Sequence, residues 1–313
     1  TLRAMGYNGN GKLGDGSTTD RHSSVLVDQN VSGLTAGSGG NKHNLYLKAD
    51  GTVWAMGKNT NGQLGDGTTT QRTTPVQIYA DPGHHVIKAA SGMYHSLFIK
   101  SNGTLWAMGE NTSGRLGDGT TTNRETPVLI DSNVTDIAGG GSHSVFLKSD
   151  GTLWGMGDNG YGQLGDGSTT NRETPVLIDS NVKSISAGND HSVYLKDDGS
   201  LRAMGRNNYG QIGDGSTTDR STPVLIDQNV TEVTAGEYHN LFLKSDGTMW
   251  AMGWNLSGRL GDGTSVDRHT PVLVDSNVTQ IAAGSHSLYL KADGKLWGMG
   301  GNTYGGLGDG TTD

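Results

Sequence analysis

Apolar and polar positions alternate along this chain in short runs. Stretches of four to six β-branched, aromatic and aliphatic residues are separated by glycine-rich polar segments, without the 3.6-residue apolar period of a helix. One representative unit, residues 134–180, reads VTDIAGGGSHSVFLKSDGTLWGMGDNGYGQLGDGSTTNRETPVLIDS. Short runs of this composition, bounded by Gly, Asp, Asn and Pro, predict strands. The pattern therefore predicts an all-β chain.

This unit contains four predicted strands, at residues 134–138, 144–148, 152–156 and 175–178. The second and third are joined by Asp-Gly, the dipeptide favoured in tight hairpin turns. The fourth begins with Pro, which lacks a backbone N–H and is tolerated best at the start of a strand. We therefore expect each unit to form a four-stranded antiparallel sheet.

The unit recurs along the whole chain. The words Leu-Gly-Asp-Gly, with Ile once, begin at residues 13, 64, 116, 164, 212, 260 and 307, at spacings of 47 to 52 residues. Four-stranded units with such a period indicate the blades of a propeller. The third-strand word, such as LWAMG, occurs seven times, and each other strand occurs six times. We therefore predict a seven-bladed β-propeller whose first and last blades are incomplete, since six blades would leave one third strand surplus.

Residues 1–313 are thus predicted to be one propeller domain of units of about 48 residues. Because partial repeats stand at both ends, we expect the sequence to be a fragment of a longer chain. With 52 glycines and 32% hydrophobic residues, each unit must bury its apolar face against its neighbours.

Composition narrows the possible partners and chemistry. The chain has no cysteine, which excludes disulfides and thiolate sites, and its formal charge is −8 without a long basic run. This balance argues against a nucleic-acid partner. The sequence also has no apolar stretch of membrane-spanning length, so membrane insertion is not predicted.

The Gly-Asp-Gly segments resemble phosphate-binding loops, yet they occur in every unit, whereas a ligand site is normally built once. Six of the aspartates precede an arginine by six residues. We therefore interpret the segment as a turn whose aspartate accepts backbone N–H bonds or pairs with that arginine. A calcium loop in each blade remains the alternative, although the spacing differs from that of known calcium repeats. The aspartates are Asp15, Asp66, Asp118, Asp166, Asp214 and Asp262.

The second strand of each unit begins at or near a histidine. A propeller places these histidines on different blades, so we expect each to donate to a neighbouring backbone carbonyl rather than to bind a metal. They are His43, His95, His143, His191, His239 and His286. The adjacent His84 and His85 form a weak candidate metal site, and no cofactor is predicted.

The words GQLGDGSTTNRETPV, IAAGSHSLYLKADG and LWGMGGN together resemble the regulator of chromosome condensation repeat family. The resemblance implies a seven-bladed propeller. Members of that family include an exchange factor for a small GTPase, a plant ultraviolet-B photoreceptor and a secreted bacterial inhibitor of β-lactamases. The near-identical repeats, rich in Asn, Thr, Gly and Asp, are most similar to the bacterial extracellular members. We therefore expect an extracellular or cell-surface location.

Candidate functional residues lie where the repeats differ. Residues 38–42 carry an insertion, residues 79–85 lengthen a link between units, and Trp254 is the one tryptophan outside the repeated position. In an antiparallel blade, the loops after the first and third strands share one face. We predict that Trp254, Tyr238 and Tyr94 form a protein-binding surface on that face. Three repeated tyrosines there, Tyr161, Tyr209 and Tyr304, are interpreted as loop packing.

The sequence contains no nucleophile–base pair that is confined to one unit. The preferred hypothesis is a non-enzymatic module that recognises a protein or a surface macromolecule. A structural building block of a surface array or filament, associating end to end, is the alternative. Guanine-nucleotide exchange on a small GTPase, which the family resemblance also suggests, is disfavoured by the acidic chain.

Overall fold

The computed structural model describes residues 1–35, 42–79 and 83–312. Within them the chain forms a two-stranded ribbon followed by blades numbered 1 to 6. The ribbon contains β1 (Leu2–Gly6) and β2 (Arg21–Asp28). Blade 1 contains β3 (Val31–Leu34), β4 (His43–Lys48), β5 (Val53–Gly57) and β6 (Arg72–Tyr79), and blade 2 contains β7 (Val86–Ser91), β8 (His95–Lys100), β9 (Leu105–Gly109) and β10 (Arg124–Asp131).

Blades 3 to 6 continue in the same order. Blade 3 contains β11 (Val134–Gly139), β12 (His143–Lys148), β13 (Leu153–Gly157) and β14 (Arg172–Asp179), and blade 4 contains β15 (Val182–Ala187), β16 (His191–Lys196), β17 (Leu201–Gly205) and β18 (Arg220–Asp227). Blade 5 contains β19 (Val230–Ala235), β20 (His239–Lys244), β21 (Met249–Gly253) and β22 (Arg268–Asp275), and blade 6 contains β23 (Val278–Ala283), β24 (Ser287–Lys291) and β25 (Leu296–Met299). A short 3-10 turn, Leu256–Gly258, follows β21.

The all-β fold and the four-stranded antiparallel blades are confirmed, with one difference in the fourth strand. This strand starts at Arg172 in blade 3, three residues before Pro175. Arg172 pairs with Gly157 and Val176 pairs with Gly155, so the ladder is irregular between them. Pro175 therefore lies in a bulge, where its missing N–H costs no ladder hydrogen bond.

The prediction of seven blades is wrong. Among the residues that the structure describes, five sheets have four strands and a sixth, blade 6, has three, whereas β1 and β2 form a separate two-stranded sheet. Within the described residues β1 pairs with β2 alone. The third-strand motif at Leu2–Gly6 therefore forms a two-stranded ribbon with β2 in the part of the chain that the structure describes.

The first strands line a central channel, and the core lies between neighbouring blades. Walls of the channel come from β3, β7, β11, β15, β19 and β23. At the contact between blades 3 and 4, Leu153 and Leu147 pack with Val182, Tyr194 and Met204. Each blade thus buries its apolar face against the next one, as the glycine-rich composition requires.

The ribbon and blade 6 are neighbours in space. The rings of Tyr7 and Tyr304 meet at 5.1 Å between centroids, and a Cβ on Gly308 would lie 2.3 Å from the sulfur of Met5. The corresponding glycine of blade 2, Gly117, approaches the next blade in the same way. The loop after β25 therefore packs on β1 as the other loops pack on the following blade. In the part of the chain that the structure describes, no helix has the length and apolar character needed to cross a membrane.

Candidate functional site

The Gly-Asp-Gly segment is a structural turn, as predicted. In blade 2 the carboxylate of Asp118 accepts hydrogen bonds from Asn111 Nδ2 (2.9 Å), from the backbone N–H of Thr120 (3.1 Å) and from Arg124 Nε (2.7 Å). Burial raises the pKa of Asp118, but the hydrogen bonds from Thr120 and Arg124 prevail and lower it. Both carboxylate oxygens are thus engaged within the turn.

The repeated histidines connect neighbouring blades, and the prediction that they donate to a backbone carbonyl is wrong. His143 Nε2 of blade 3 lies 2.9 Å from Ser192 Oγ of blade 4, and Ser192 Oγ donates to the carbonyl of Gln163 at 2.8 Å. Since the hydroxyl proton is used in that second bond, Ser192 Oγ accepts from the imidazole N–H. The tautomer of His143 therefore carries its proton on Nε2.

This link recurs at five contacts between blades, with Asn240 in place of serine once. The pairs are His43–Ser96, His95–Ser144, His143–Ser192, His191–Asn240 and His239–Ser287. All five imidazoles are fully buried. Burial is the main cause that lowers the pKa of His143, His43 and His239 from 6.5 to about 3. These histidines are neutral structural links between blades.

The lysines that end the second strands and the tryptophans of the third strands also stabilise the contacts between blades. Lys148 of blade 3 forms an ion pair with Asp131 of blade 2 at 2.9 Å and lies 4.7 Å from the ring centroid of Trp154. Trp154 is partly buried against the cluster between those blades. The two arginines that replace this tryptophan are partly solvated, since Arg3 is exposed and Arg202 is half-buried.

An aromatic cluster stands on the loop face of blades 4 and 5. The ring centroid of Trp254 lies 5.4 Å from that of Tyr209 and 5.6 Å from that of Tyr238, and the two tyrosine rings are 5.6 Å apart. Tyr209 comes from the loop after β17, Tyr238 from the loop after β19 and Trp254 from the loop after β21. The fold therefore brings two of the three predicted binding residues together.

Two arginines pack against this cluster. The guanidinium carbon of Arg259 lies 3.8 Å from the ring centroid of Trp254, and its Nε donates to the carbonyl of Leu256 at 3.1 Å. The guanidinium carbon of Arg206 lies 4.8 Å from the ring centroid of Tyr161 and 6.0 Å from that of Tyr238. Both distances are in the range of cation–π contacts. Tyr209, Tyr238, Trp254, Arg206 and Arg259 are called the aromatic–arginine cluster below.

Acidic and amide groups fix the cluster from below. Asp190 pairs with Arg206 at 3.1 Å, and Asn189 Nδ2 donates to the hydroxyl of Tyr238 at 2.7 Å. Burial raises the pKa of Asp190 despite that arginine, and burial likewise raises the pKa of Glu237 against the opposing effect of Arg259. Nη1 of Arg259 has no hydrogen-bond partner among the described residues. The cluster is therefore held in place, and the unpaired Nη1 of Arg259 is buried within it.

Tyr94, the third predicted binding residue, stands apart from the cluster. It lies on blade 2, and its ring centroid is 5.0 Å from Lys58 Nζ and 5.6 Å from Lys42 Nζ. The insertion at 38–42 lies outside the described residues except for Lys42, and so do residues 80–82 of the link at 79–85. His84 and His85 belong to no group of three or more metal-ligating side chains among the described residues.

Sequence reasoning missed Arg206 and Arg259 and treated Tyr209 as loop packing. A signal was available, because both arginines occupy positions where the units differ. The position of Arg206 carries Lys58, Glu110, Asp158 and Trp254 in other units, and that of Arg259 carries Lys, Gln, Arg or Gly. The variable positions on the loop face therefore mark more of the site than the aromatic residues alone.

Comparison with known families agrees with this architecture. The model of the RCC1-like domain matches residues 131–313, more than half of the chain. Models of the regulator of chromosome condensation (RCC1) repeat match residues 50–99 and 102–147, and a second one matches 35–63 and 86–115. The chain belongs to the RCC1 repeat family. The resemblance stated from the repeated words is thereby confirmed.

Individual relatives within the RCC1 family differ widely in length and organism. The chain is 31% identical over 140 residues to the ultraviolet-B receptor UVR8 of Arabidopsis thaliana, covering 43% of this chain and 31% of that protein. It is 36% identical over 112 residues to an RCC2 homolog of Danio rerio, covering 36% of this chain and 22% of that protein. The chain thus matches less than a third of the length of these curated relatives.

Solved structures show the same fold at lower identity. Human WBSCR16 superposes with a TM-score of 0.87 at 23% identity, over 99% of this chain and 92% of that one. Prp20p of Saccharomyces cerevisiae superposes with a TM-score of 0.86 at 22% identity, over 99% and 82%. Its structure is described together with its binding properties to Gsp1p and histones. These likenesses establish the propeller fold for this chain.

Proposed function

We propose that this RCC1-family propeller is a non-enzymatic recognition module that binds another protein through the loop face of blades 4 and 5. The observation that carries the proposal is the aromatic–arginine cluster, in which Tyr209, Tyr238 and Trp254 pack together with two arginines. Trp, Tyr and Arg are the residue types that supply most of the energy at protein interfaces.

The cluster is pre-organised for binding. Its rings hold each other in stacked and edge-to-face contacts, and Asn189 fixes the hydroxyl of Tyr238. A surface that is ordered before association loses less conformational entropy when the partner arrives. The partly exposed Arg206 adds donors for carbonyl or carboxylate groups of the partner, whereas Arg259 is buried and supports the ring of Trp254. We therefore expect a partner surface with an apolar centre and acceptor groups at its edge.

The histidine–serine pairs support a non-enzymatic role despite their resemblance to a nucleophile and its base. Ser192 donates its hydroxyl proton to a backbone carbonyl and accepts from His143, which is the reverse of the direction that activates a serine. Both side chains are completely buried, so a substrate could not reach them. Each pair acts as a contact between blades.

A location on the bacterial cell surface is the second part of the proposal. It is supported by the near-identical repeats, rich in Asn, Thr, Gly and Asp. Treatment of intact source cells with a non-permeant protease would degrade the protein if it is displayed. Degradation only after lysis would place it inside the cell.

The recognition role is tested by affinity capture from source-cell extracts and culture medium, followed by a titration with the captured protein. We expect Trp254→Ala and Tyr238→Ala to weaken binding by at least about tenfold, as hot-spot truncations do. Leu129→Ala is the matched control, because Leu129 is 56% exposed on the outer strand of blade 2. Tyr94→Ala tests whether the separate tyrosine takes part.

Equal capture by Trp254→Ala, Tyr238→Ala and the Leu129→Ala control would contradict the proposed site. Light scattering distinguishes the recognition role from the alternative role as a structural building block of an array. A mass that grows with concentration and returns to that of a monomer in Trp254→Ala would mean that the cluster joins copies of this chain into an array.

A further inference from the structure

The short links that lead into the blades repeat one sequence. The link before blade 3 reads Asp-Ser-Asn-Val-Thr at residues 131–135, and equivalent links before blades 1, 5 and 6 occupy residues 28–32, 227–231 and 275–279. Each contains Asn-x-Ser or Asn-x-Thr, the sequence at which an oligosaccharyltransferase attaches a glycan to asparagine. Each also has Asp two positions before the asparagine, the acidic residue that bacterial enzymes of this class require. These four segments are called the link sequons below.

The folded chain presents the asparagine and the hydroxyl residue of each link sequon to solvent. In the link before blade 3, Asn133 and Thr135 are exposed, whereas Val134 between them is buried. Thr135 lies at an irregularity of the ladder between β11 and β12, so no residue of β12 stands directly opposite it. The side chain of Asn133 makes no hydrogen bond within the described part of the chain. The Nδ2 atom that would take a glycan is therefore available.

Turn geometry accounts for the asparagine but not for the hydroxyl residue. Asn133 has a φ of 59°, in the left-handed region that asparagine tolerates better than most residues. The link before blade 4 contains Asn181 with a φ of 56°, yet Lys183 occupies the position of Thr135. Lys183 is exposed and lies at the same irregularity of its ladder. The fold thus accepts either Thr or Lys here, and the link before blade 4 is a natural control without a sequon.

The remaining sequons of the chain do not meet these conditions. Asn111 and Asn255 begin Asn-Thr-Ser and Asn-Leu-Ser, but both asparagines are fully buried. Nδ2 of Asn111 donates to the carboxylate of Asp118 at 2.9 Å, so the acceptor atom is engaged. Asn102 begins an exposed Asn-Gly-Thr, but Lys100 stands two positions before it in place of an acidic residue. Exposure and the acidic residue together select the link sequons.

We propose that Asn30, Asn133, Asn229 and Asn277 are acceptor sites for glycans transferred by a bacterial oligosaccharyltransferase. The donor is an oligosaccharide carried on a polyprenyl pyrophosphate. The bond from C1 of its first sugar to the pyrophosphate oxygen breaks, and a bond from C1 to Nδ2 of the asparagine forms. Nδ2 loses one proton, and the lipid pyrophosphate is the leaving group. The inference rests on the extracellular location that belongs to the proposed function.

The link sequons lie on the face of the blades opposite the loop face. In an antiparallel blade the turn after the second strand and the link after the fourth share one face. Accordingly, the carbonyl of Asn133 accepts a hydrogen bond from the N–H of Ser149, in the turn after β12, at 2.8 Å. Glycans at the four sites would therefore cover this face and leave the aromatic–arginine cluster open to a partner.

The test exports the full chain, behind a cleavable signal sequence, to the periplasm of a host bacterium that carries a bacterial oligosaccharyltransferase and its lipid-linked oligosaccharide. Intact mass spectrometry counts the glycans, and mapping of the glycopeptides locates them. We expect glycans at the four link sequons and none at Asn102, Asn111, Asn181 or Asn255. The same host with an inactive transferase gives the mass of the unmodified chain.

A reciprocal exchange between two links provides matched variants. Thr135→Lys gives the link before blade 3 the residue found before blade 4, and it should remove the glycan from Asn133 alone. Lys183→Thr completes a sequon before blade 4, and it should add a glycan at Asn181. Both variants should fold, because the chain already contains each residue at this position of a link.

Absence of glycans from the wild-type chain, in a host that glycosylates another acceptor protein, would overturn the inference. Glycosylation of Asn102 as often as Asn133, with Asn181 unmodified in Lys183→Thr, would also contradict it. The chain isolated from source cells separates the inference from the location on which it rests. An unmodified mass, found together with digestion by protease on intact cells, would overturn the inference and leave the location standing. Protection from protease in intact cells would overturn both.

Discussion

Two contacts in the molecule share one sequence pattern but differ in completeness. One joins blades 3 and 4, and the other joins blade 6 and the ribbon. At the first, Leu153 is buried and His143 reaches Ser192. At the second, Leu296 and His286 occupy the same positions, yet Leu296 is exposed and His286 makes no side-chain hydrogen bond within the described residues. Identical residues therefore contribute stability only where the next blade supplies their partners.

The largest expected effect is on the pH dependence of stability. The folded chain holds the buried histidines neutral, with the pKa of His143 lowered from 6.5 to about 3. Between those values the unfolded chain binds more protons, so the free energy of unfolding falls as the pH drops below 6.5. Each such histidine contributes up to about 1.4 kcal/mol per pH unit. Urea unfolding at pH 7 and pH 5, above the carboxylate range, measures the loss.

His143→Gln should reduce that pH dependence, and Leu129→Gln, at an exposed position without a titratable side chain, should leave it unchanged. His286→Gln at the open contact should have a smaller effect than His143→Gln, because His286 is only half-buried. Equal pH dependence in all three variants would contradict the role of the buried links.

Truncation of Leu153 and Leu296, which occupy the same position in two blades, should give the next largest difference in the free energy of unfolding. Leu153→Ala should lower the free energy of unfolding by about 3 kcal/mol, because it leaves a cavity between two blades. Leu296→Ala should change it by less than about 0.5 kcal/mol, as is usual for an exposed side chain. Urea unfolding of both variants checks the difference. Similar losses would mean that Leu296 is covered in solution.

Substitution of an aspartate in a Gly-Asp-Gly turn should have a moderate effect on stability. Asp118→Asn should cost about 1–2 kcal/mol, because it weakens the pairing with Arg124 and the bonds from the turn. Asp150 in the hairpin turn of blade 3 accepts hydrogen bonds from the backbone N–H and the hydroxyl of Thr152 and pairs with no arginine among the described residues, so Asp150→Asn should have a smaller effect. Thermal unfolding of the two variants is the measurement. A larger loss for Asp150→Asn would show that the arginine is not the main partner of Asp118.

The smallest effect on stability is expected from the lysine–aspartate ion pairs between blades. Lys148→Met should cost about 0.5 kcal/mol, because the pair with Asp131 is only partly screened by solvent. Lys295, whose pair with Asp293 is largely exposed, serves as the control, and Lys295→Met should leave stability unchanged. Added salt should remove the difference between the two variants in thermal unfolding. A difference that persists at high salt would indicate packing of Lys148 on Trp154 instead.

The functional proposal depends on positions where the repeats differ. Trp254 and Tyr238 could be selected from the sequence because one is outside the repeated tryptophan position and the other precedes a repeated histidine in a variable loop. The sequence could not predict that these two residues contact each other, nor that Tyr94 lies apart from them. Which loop residues meet depends on how neighbouring blades pack. Arg206 and Arg259 join the cluster for the same reason.

The local structure of this protein follows from its amino-acid sequence alone. Asp118 and Arg124 are six residues apart, so glycine-rich turn geometry brings them together within one unit, and the alternating strand words determine the sheets. The tertiary structure alone decided the links between units, since His143 and Ser192 are 49 residues apart on different blades. It also decided that seven third-strand words form six blades and a ribbon. A strand sequence makes pairing possible, but a blade forms only where partner strands lie beside that strand.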